Sequence, residues 1–157
     1  MMETNNSWEE NAARQCPIAR SLDVLGEKWT LLILRDIARG LTQFNEIETS
    51  LGCSRALLTQ RLKKLVNNGI IEKVTYQEAG QRTRHRYQLA RAGIDFLPVL
   101  GAMQEWGMAH FPQEVIPIGI PVHRDCAQPV RMALTCAHGH DVHPDSIDIV
   151  MRVDEVR

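Results

Sequence analysis

A mainly α fold with a small β component (α+β) is predicted by three features of this sequence. Apolar residues recur at helical spacing in successive short segments from Pro17 to Val66. The period then becomes strand-like on either side of a Gly-containing turn, between Ile71 and Leu89, and a helical period returns up to Trp106. The chain has 157 residues, 44% of them hydrophobic, enough for one core and a small appendage. The expected organisation is a flexible arm over 1–13, a main domain over 14–111 and a small β-rich C-terminal appendage over 112–157.

Taken in order, residues 1–13 hold one large apolar residue, Trp8, and no periodicity. Pro17 is a favoured first helical residue; Ile18, Leu22 and Leu25 follow at i, i+4 and i+7, and Gly26 is placed to end the helix. A second helix carries Trp29, Leu32, Ile33 and Ile37 on one face and closes near Arg39-Gly40. Thr42 is the expected cap of a short third helix holding Phe44 and Ile47, after which Leu51-Gly52-Cys53 turns the chain. Ser54 caps a fourth helix, whose buried stripe is Leu58, Leu62, Leu65 and Val66. Arg55, Thr59, Gln60 and Lys63 face away from that stripe, and Asn68-Gly69 stops the helix.

Ile71 to Tyr76 and Arg84 to Leu89 read as the strands of a hairpin turning at Glu78-Ala79-Gly80-Gln81, with a basic tip and return strand. Ile94, Leu97, Leu100, Ala102, Met103 and Trp106 then predict a long apolar helix bent at Pro98. That helix is too apolar to stand exposed on a monomer, so Leu97, Leu100, Met103 and Trp106 are expected at a homodimer interface, with the helix from Pro17 a second contributor. From residue 112 onward, five prolines separate short β-like runs, the last alternating from Ile147 to Asp154.

The formal net charge of -1 conceals a division. Ser54 to Arg91 carries +7 and the remainder -8, which implies one surface suited to a polyanion. A short helix, a tight turn, a second helix with a polar outward face and a basic hairpin form the layout of a winged helix-turn-helix. A major groove about 12 Å wide admits one helix. Of the outward residues, Arg55 suits guanine, Gln60 adenine and Thr59 a thymine methyl, with Ser54 beside them; Lys63 and Lys64 suit phosphates. Arg82, Arg84 and His85 on the hairpin are placed for the neighbouring minor groove or its phosphates. The bland alternative is an amphipathic helix with a solvated basic face, which the second basic element disfavours. The expected partner is double-stranded DNA. No run approaches the ~18 apolar residues of a membrane span, and no targeting segment is visible, so a cytoplasmic, non-membrane protein is expected.

The ordered set Cys16-Pro17-Ile18, Leu25-Gly26-Glu27-Lys28-Trp29-Thr30, Phe44-Asn45-Glu46-Ile47, Leu58-Thr59-Gln60-Arg61-Leu62-Lys63-Lys64-Leu65, Gly69-Ile70-Ile71, Tyr87-Gln88-Leu89 and Gly93 carries a family resemblance over residues 14–107. The chain closely resembles the HxlR-type winged-helix transcriptional regulators, small bacterial and archaeal DNA-binding proteins related in architecture to the MarR group. The resemblance implies a nucleoid-associated homodimer on a partly palindromic operator, answering a chemical stress or metabolite, whether as repressor or activator. Ala90 departs from the family, which usually has a capping Thr there.

The resemblance also implies a thiol-sensor position at Cys16, which precedes a helix-opening Pro between Arg14 and Arg20, features that suit a reactive thiol. A small buried hydrophobe is the other reading of Cys16, and Cys53 is either a resolving partner or a turn filler. Trp29 and Trp106, on apolar stripes, suit core or dimer contacts better than ligand stacking. In the tail, His123, Cys126, Cys136, His138 and His140 are donors of the kind found in structural zinc sites, although Gly139 stands where longer family members have a second Cys. An ordinary hairpin with scattered histidines remains the alternative, and no cofactor is required. Catalysis is not expected: a thiol enzyme needs a base and an oxyanion donor around Cys16, and neither has a local signature. A zinc-containing protein-interaction module is the other competing class.

Overall fold

The computed structural model describes residues 16–77, 83–111 and 118–150. The expected arm over 1–13, the hairpin turn at 78–81, Arg82, and the last alternating positions from Met151 lie outside the described residues. The chain packs as two compact units that divide between Leu100 and Gly101, inside a helix, whereas the change in composition falls near residue 112.

In the first unit, α1 (Pro17–Leu25) follows an extended Cys16 and ends at Gly26, whose N–H donates to the Leu22 carbonyl. Only Leu25 of its apolar stripe is buried; Ile18 and Leu22 are 71% and 57% exposed. The short helix meets the core with its C-terminal end and leaves the rest of the stripe on the surface. Helix α2 (Lys28–Ala38) buries Ile33, Leu34 and Ile37, and Trp29 and Leu32 are half-buried. It also buries Asp36, whose Oδ1 accepts Arg35 Nε and Nη2 at 2.9 and 2.8 Å and pairs with Arg39 Nε at 3.3 Å.

Helix α3 (Phe44–Leu51) is capped by Gln43 rather than Thr42. Glu46 explains the choice: it lies three residues beyond Gln43, so its Oε2 accepts the Gln43 N–H at 2.9 Å while the Gln43 side chain accepts the Glu46 N–H. Gly52 ends α3 at φ 62°, a left-handed conformation that favours glycine. Ser54 then caps α4 (Arg55–Asn67), its Oγ accepting the Leu57 N–H at 3.3 Å, and Leu58, Leu62 and Leu65 are buried. Strands β1 (Ile71–Tyr76) and β2 (Arg84–Leu89) pair antiparallel from Ile71↔Leu89 to Tyr76↔Arg84. A bridge from Gln43 to Arg86 and a 2.7 Å bond from the Tyr87 N–H to the Thr42 carbonyl tie this hairpin to the start of α3. The buried cluster joins Leu25, Ile33, Leu34, Ile37, Ile47, Leu58, Leu62, Leu65, Ile71 and Tyr87.

The long bent helix expected after the hairpin is two helices, α5 (Arg91–Asp95) and α6 (Leu97–His110), separated at Phe96. Pro98 therefore sits in the first turn of α6, where a missing N–H forfeits no intrahelical bond. Ala90 caps α5 without a side-chain bond. Leu100 packs against the core cluster.

In the second unit, the remainder of α6 holds the tail through side chains. Glu105 Oε1 accepts the Met132 N–H and Gln104 Nε2 donates to the Gly119 carbonyl, both at 3.0 Å, while Gly101 leaves space for the Met132 thioether. The described tail contains two isolated bridges, Val122↔Pro129 and Thr135↔Asp141, and a 3-10 turn at Pro144–Ser146. The alternating run carries no strand over 147–150. Alternation alone does not make a strand where no neighbour supplies a ladder.

Candidate nucleic-acid interface

Helix α4 presents Arg55, Ala56, Thr59, Gln60, Lys63 and Asn67 to solvent, opposite its leucine stripe, with the exposed Ser54 at its cap. Its remaining cations turn elsewhere. Arg61, with 14% of its side chain exposed, bonds to Glu27 at the N-terminal cap of α2, and Lys64 Nζ lies 3.8 Å from the same carboxylate. Lys64 is thus a half-buried flank residue, whereas Lys63 is the freer ammonium. Arg55 is exposed but restrained: Nη1 donates to Glu48 Oε2 at 2.7 Å, and its guanidinium centre lies 4.7 Å from the Phe44 ring.

The hairpin places Arg84, His85 and Arg86 in solvent. His85 Nδ1 is 3.2 Å from Thr75 Oγ1, and the Arg86 guanidinium lies 5.9 Å from the Tyr76 ring. Between α3, α4 and the hairpin runs a cleft of about 600 Å³ lined by Gln43, Phe44, Asn45, Thr59, Lys73, Arg84, His85 and Tyr87. Burial pushes the Tyr87 phenol above its ordinary value. The cleft thereby joins the polar face of α4 to two cations on the strands, a distribution suited to base edges on one side and phosphates on the other.

Thr59, Arg84 and His85, all expected on the DNA-facing surface, line this one cleft. Gln43, Asn45 and Lys73 line the same cleft without having been singled out. Strand parity held the signal for Lys73, which shares a face with Ile71 and pairs with the buried Tyr87. The four residues expected at a dimer contact divide. Leu97 and Leu100 lie on the partly covered face of α6, whereas Met103 and Trp106, 49% and 58% exposed, share the open face with Val99.

Cys16 is half-buried at the N-terminal cap of α1, and Cys53 is half-buried against the core. In the tail, His123 Nδ1 and Cys126 Sγ are 3.1 Å apart on one turn, and the rings of His138 and His140 are 6.2 Å apart. The backbone N–H groups of His140 and His138 hold the exposed Cys136 thiol below its ordinary value. Among the described residues, no three His, Cys, Asp or Glu side chains gather into a group able to hold a metal ion, so these donors do not compose a tetrahedral zinc shell in this arrangement. No helix of the described residues is long and apolar enough to cross a membrane.

The sequence profile of HxlR-like helix-turn-helix proteins matches residues 24–115. An uncharacterized HTH-type transcriptional regulator of Mycobacterium bovis is 34% identical over 124 residues, covering 77% of this chain and 75% of that protein. Among solved structures, PA1607, a candidate transcription factor, is similar with a TM-score of 0.74 at 32% identity, over 88% of this chain and 96% of the other. The redox regulator HypR in its oxidized form is similar with a TM-score of 0.55 at 28% identity, over 60% of this chain and 97% of its own.

Proposed function

This chain belongs to the HxlR-like helix-turn-helix family and is a transcriptional regulator, and from that premise we propose that it reads a partly palindromic operator as a homodimer whose DNA affinity answers thiol chemistry. The observation that carries the DNA-reading role is the exposed set Arg55, Thr59, Gln60 and Lys63 on α4, of which Thr59 lines one cleft with Lys73, Arg84 and His85. Apolar α1 and α6 surfaces support self-association: Ile18 and Leu22 on one helix, Val99, Met103 and Trp106 on the other. Symmetry then relates the two α4 helices as it relates the half-sites. Selection of bound fragments from random duplexes should return one motif of two inverted half-sites, centred about one helical turn, roughly 34 Å, apart. Recovery of no enriched sequence would reject the reading.

The thiol response is assigned to Cys16. It caps the helix that exposes Ile18 and Leu22, so a group added there would disturb an association surface and change the separation of the reading helices. Similarity to a redox regulator supports a redox response, though not the choice of thiol. Mild peroxide or a quinone should change the DNA affinity of the unmodified chain, while Cys16→Ser should bind DNA and not respond. An equal response from both proteins would remove Cys16 from the mechanism and leave the tail cluster with Cys126 and Cys136, or a bound small molecule, as the remaining candidates.

A further inference from the structure

We propose that Glu48 is a positioning residue for Arg55: from α3, together with the Phe44 ring, it presets the guanidinium to read a guanine edge. The inference rests on the proposed DNA-reading role of α4. An exposed arginine is ordinarily among the most mobile side chains, and that freedom is lost when it docks on a base. Arg55 is the first residue of α4 and its side chain is 67% exposed, yet two groups restrain it. Glu48 Oε2 accepts Nη1 at 2.7 Å, and the Phe44 ring lies 4.7 Å from the guanidinium carbon. Both restraints come from the other helix of the helix-turn-helix. Their own freedom is small: Phe44 packs against the core, and the Glu48 side chain is only 23% exposed.

The geometry leaves the donors in a useful state. With Nη1 engaged, Nε and Nη2 have no hydrogen-bond partner among the described residues, and this adjacent pair of N–H groups is a two-donor edge matching O6 and N7 of guanine. The carboxylate also offsets the arginine charge. A partly neutralised guanidinium attracts phosphates less at any sequence, but it still donates two directed hydrogen bonds at the right base. Glu48 therefore weakens indiscriminate binding and sharpens discrimination.

The test uses the full-length chain and three duplexes: the motif recovered by selection, the same motif with its guanines replaced by 7-deazaguanine, and a scrambled sequence. Glu48→Ala should tighten binding to scrambled DNA and lower the motif-to-scrambled affinity ratio, with a coupling to Arg55 of at least about twofold. Glu48→Gln, which keeps the acceptor without the charge, should restore most of that ratio. With Arg55→Ala already present, Glu48→Ala should leave the ratio and the response to 7-deazaguanine unchanged. If Glu48→Ala alters the ratio equally with and without Arg55, or raises all affinities by one factor, Glu48 acts only as a surface charge and the inference falls. If the unmodified chain itself binds motif and scrambled duplexes alike, the failure lies in the base-reading role, and the inference falls with it.

Discussion

At residue 93 the chain has no room for a side chain. A Cβ on Gly93 would stand 2.3 Å from the Ile70 carbonyl oxygen and 3.1 Å from Leu89 Cδ2. That carbonyl also accepts the Ala90 N–H at 3.0 Å, so α5 lies directly on the backbone entering the hairpin. Two effects oppose each other in Gly93→Ala. Helix propensity would favour alanine by up to about 1 kcal/mol, whereas overpacking against backbone costs roughly 1 to 3 kcal/mol. Because the clash is with a main-chain atom already held by a hydrogen bond, the second effect should win. Denaturant unfolding should show a lower midpoint at unchanged slope; an equal or higher midpoint would mean that the backbone yields more easily than this packing implies.

At the scale of elements, α4 and the hairpin divide the work of binding. The cations of α4 are of two kinds: Arg55 and Lys63 face outward, while Arg61 and Lys64 share Glu27 and tie α4 to the start of α2. On the strands, Lys73 and Arg84 line the cleft beside Thr59. Phosphate contacts release counterions and base contacts discriminate, so the two sets have different signatures. Lys73→Ala and Arg84→Ala should each weaken motif and scrambled duplexes by the same factor and flatten the dependence of log affinity on log salt by about one unit per lost contact. A change in base preference with an unaltered salt dependence would instead place these residues on base edges.

For the whole molecule, the decisive feature is apolar surface that stands exposed among the described residues. Met103 and Trp106 are about half exposed on a helix that has no fully buried residue, and the Trp106 ring meets His110 at a tilt and Phe111 edge-on, at centroid distances of 5.1 and 5.3 Å. Met103→Glu together with Trp106→Glu should leave the folded chain intact, because neither side chain belongs to the buried cluster. Sedimentation at micromolar concentration should find dimers of the unmodified chain and monomers of the double variant, with DNA affinity reduced in parallel. Persistence of the dimer in the variant would move the interface elsewhere, with the Ile18 and Leu22 face of α1 the next surface to alter.

Most element boundaries between Pro17 and Leu89 and the outward face of α4 were determined by the sequence alone, because their causes are local. Ser54 can cap only the residues that follow it, Gly52 takes a left-handed turn where it stands, and a leucine every third or fourth residue leaves the intervening positions to solvent. Even the misplaced cap at Thr42 was a local matter, readable from Glu46 three residues beyond Gln43. Only the tertiary structure decided which apolar stripes find a partner. Leu22 and Leu25 share a helical stripe in the sequence, yet one is exposed and the other buried, because burial depends on which surfaces meet. The same holds for charge: nothing near Arg61 or Arg55 in the chain foretells Glu27 and Glu48, which reach them only after α2 and α3 have packed around the common core.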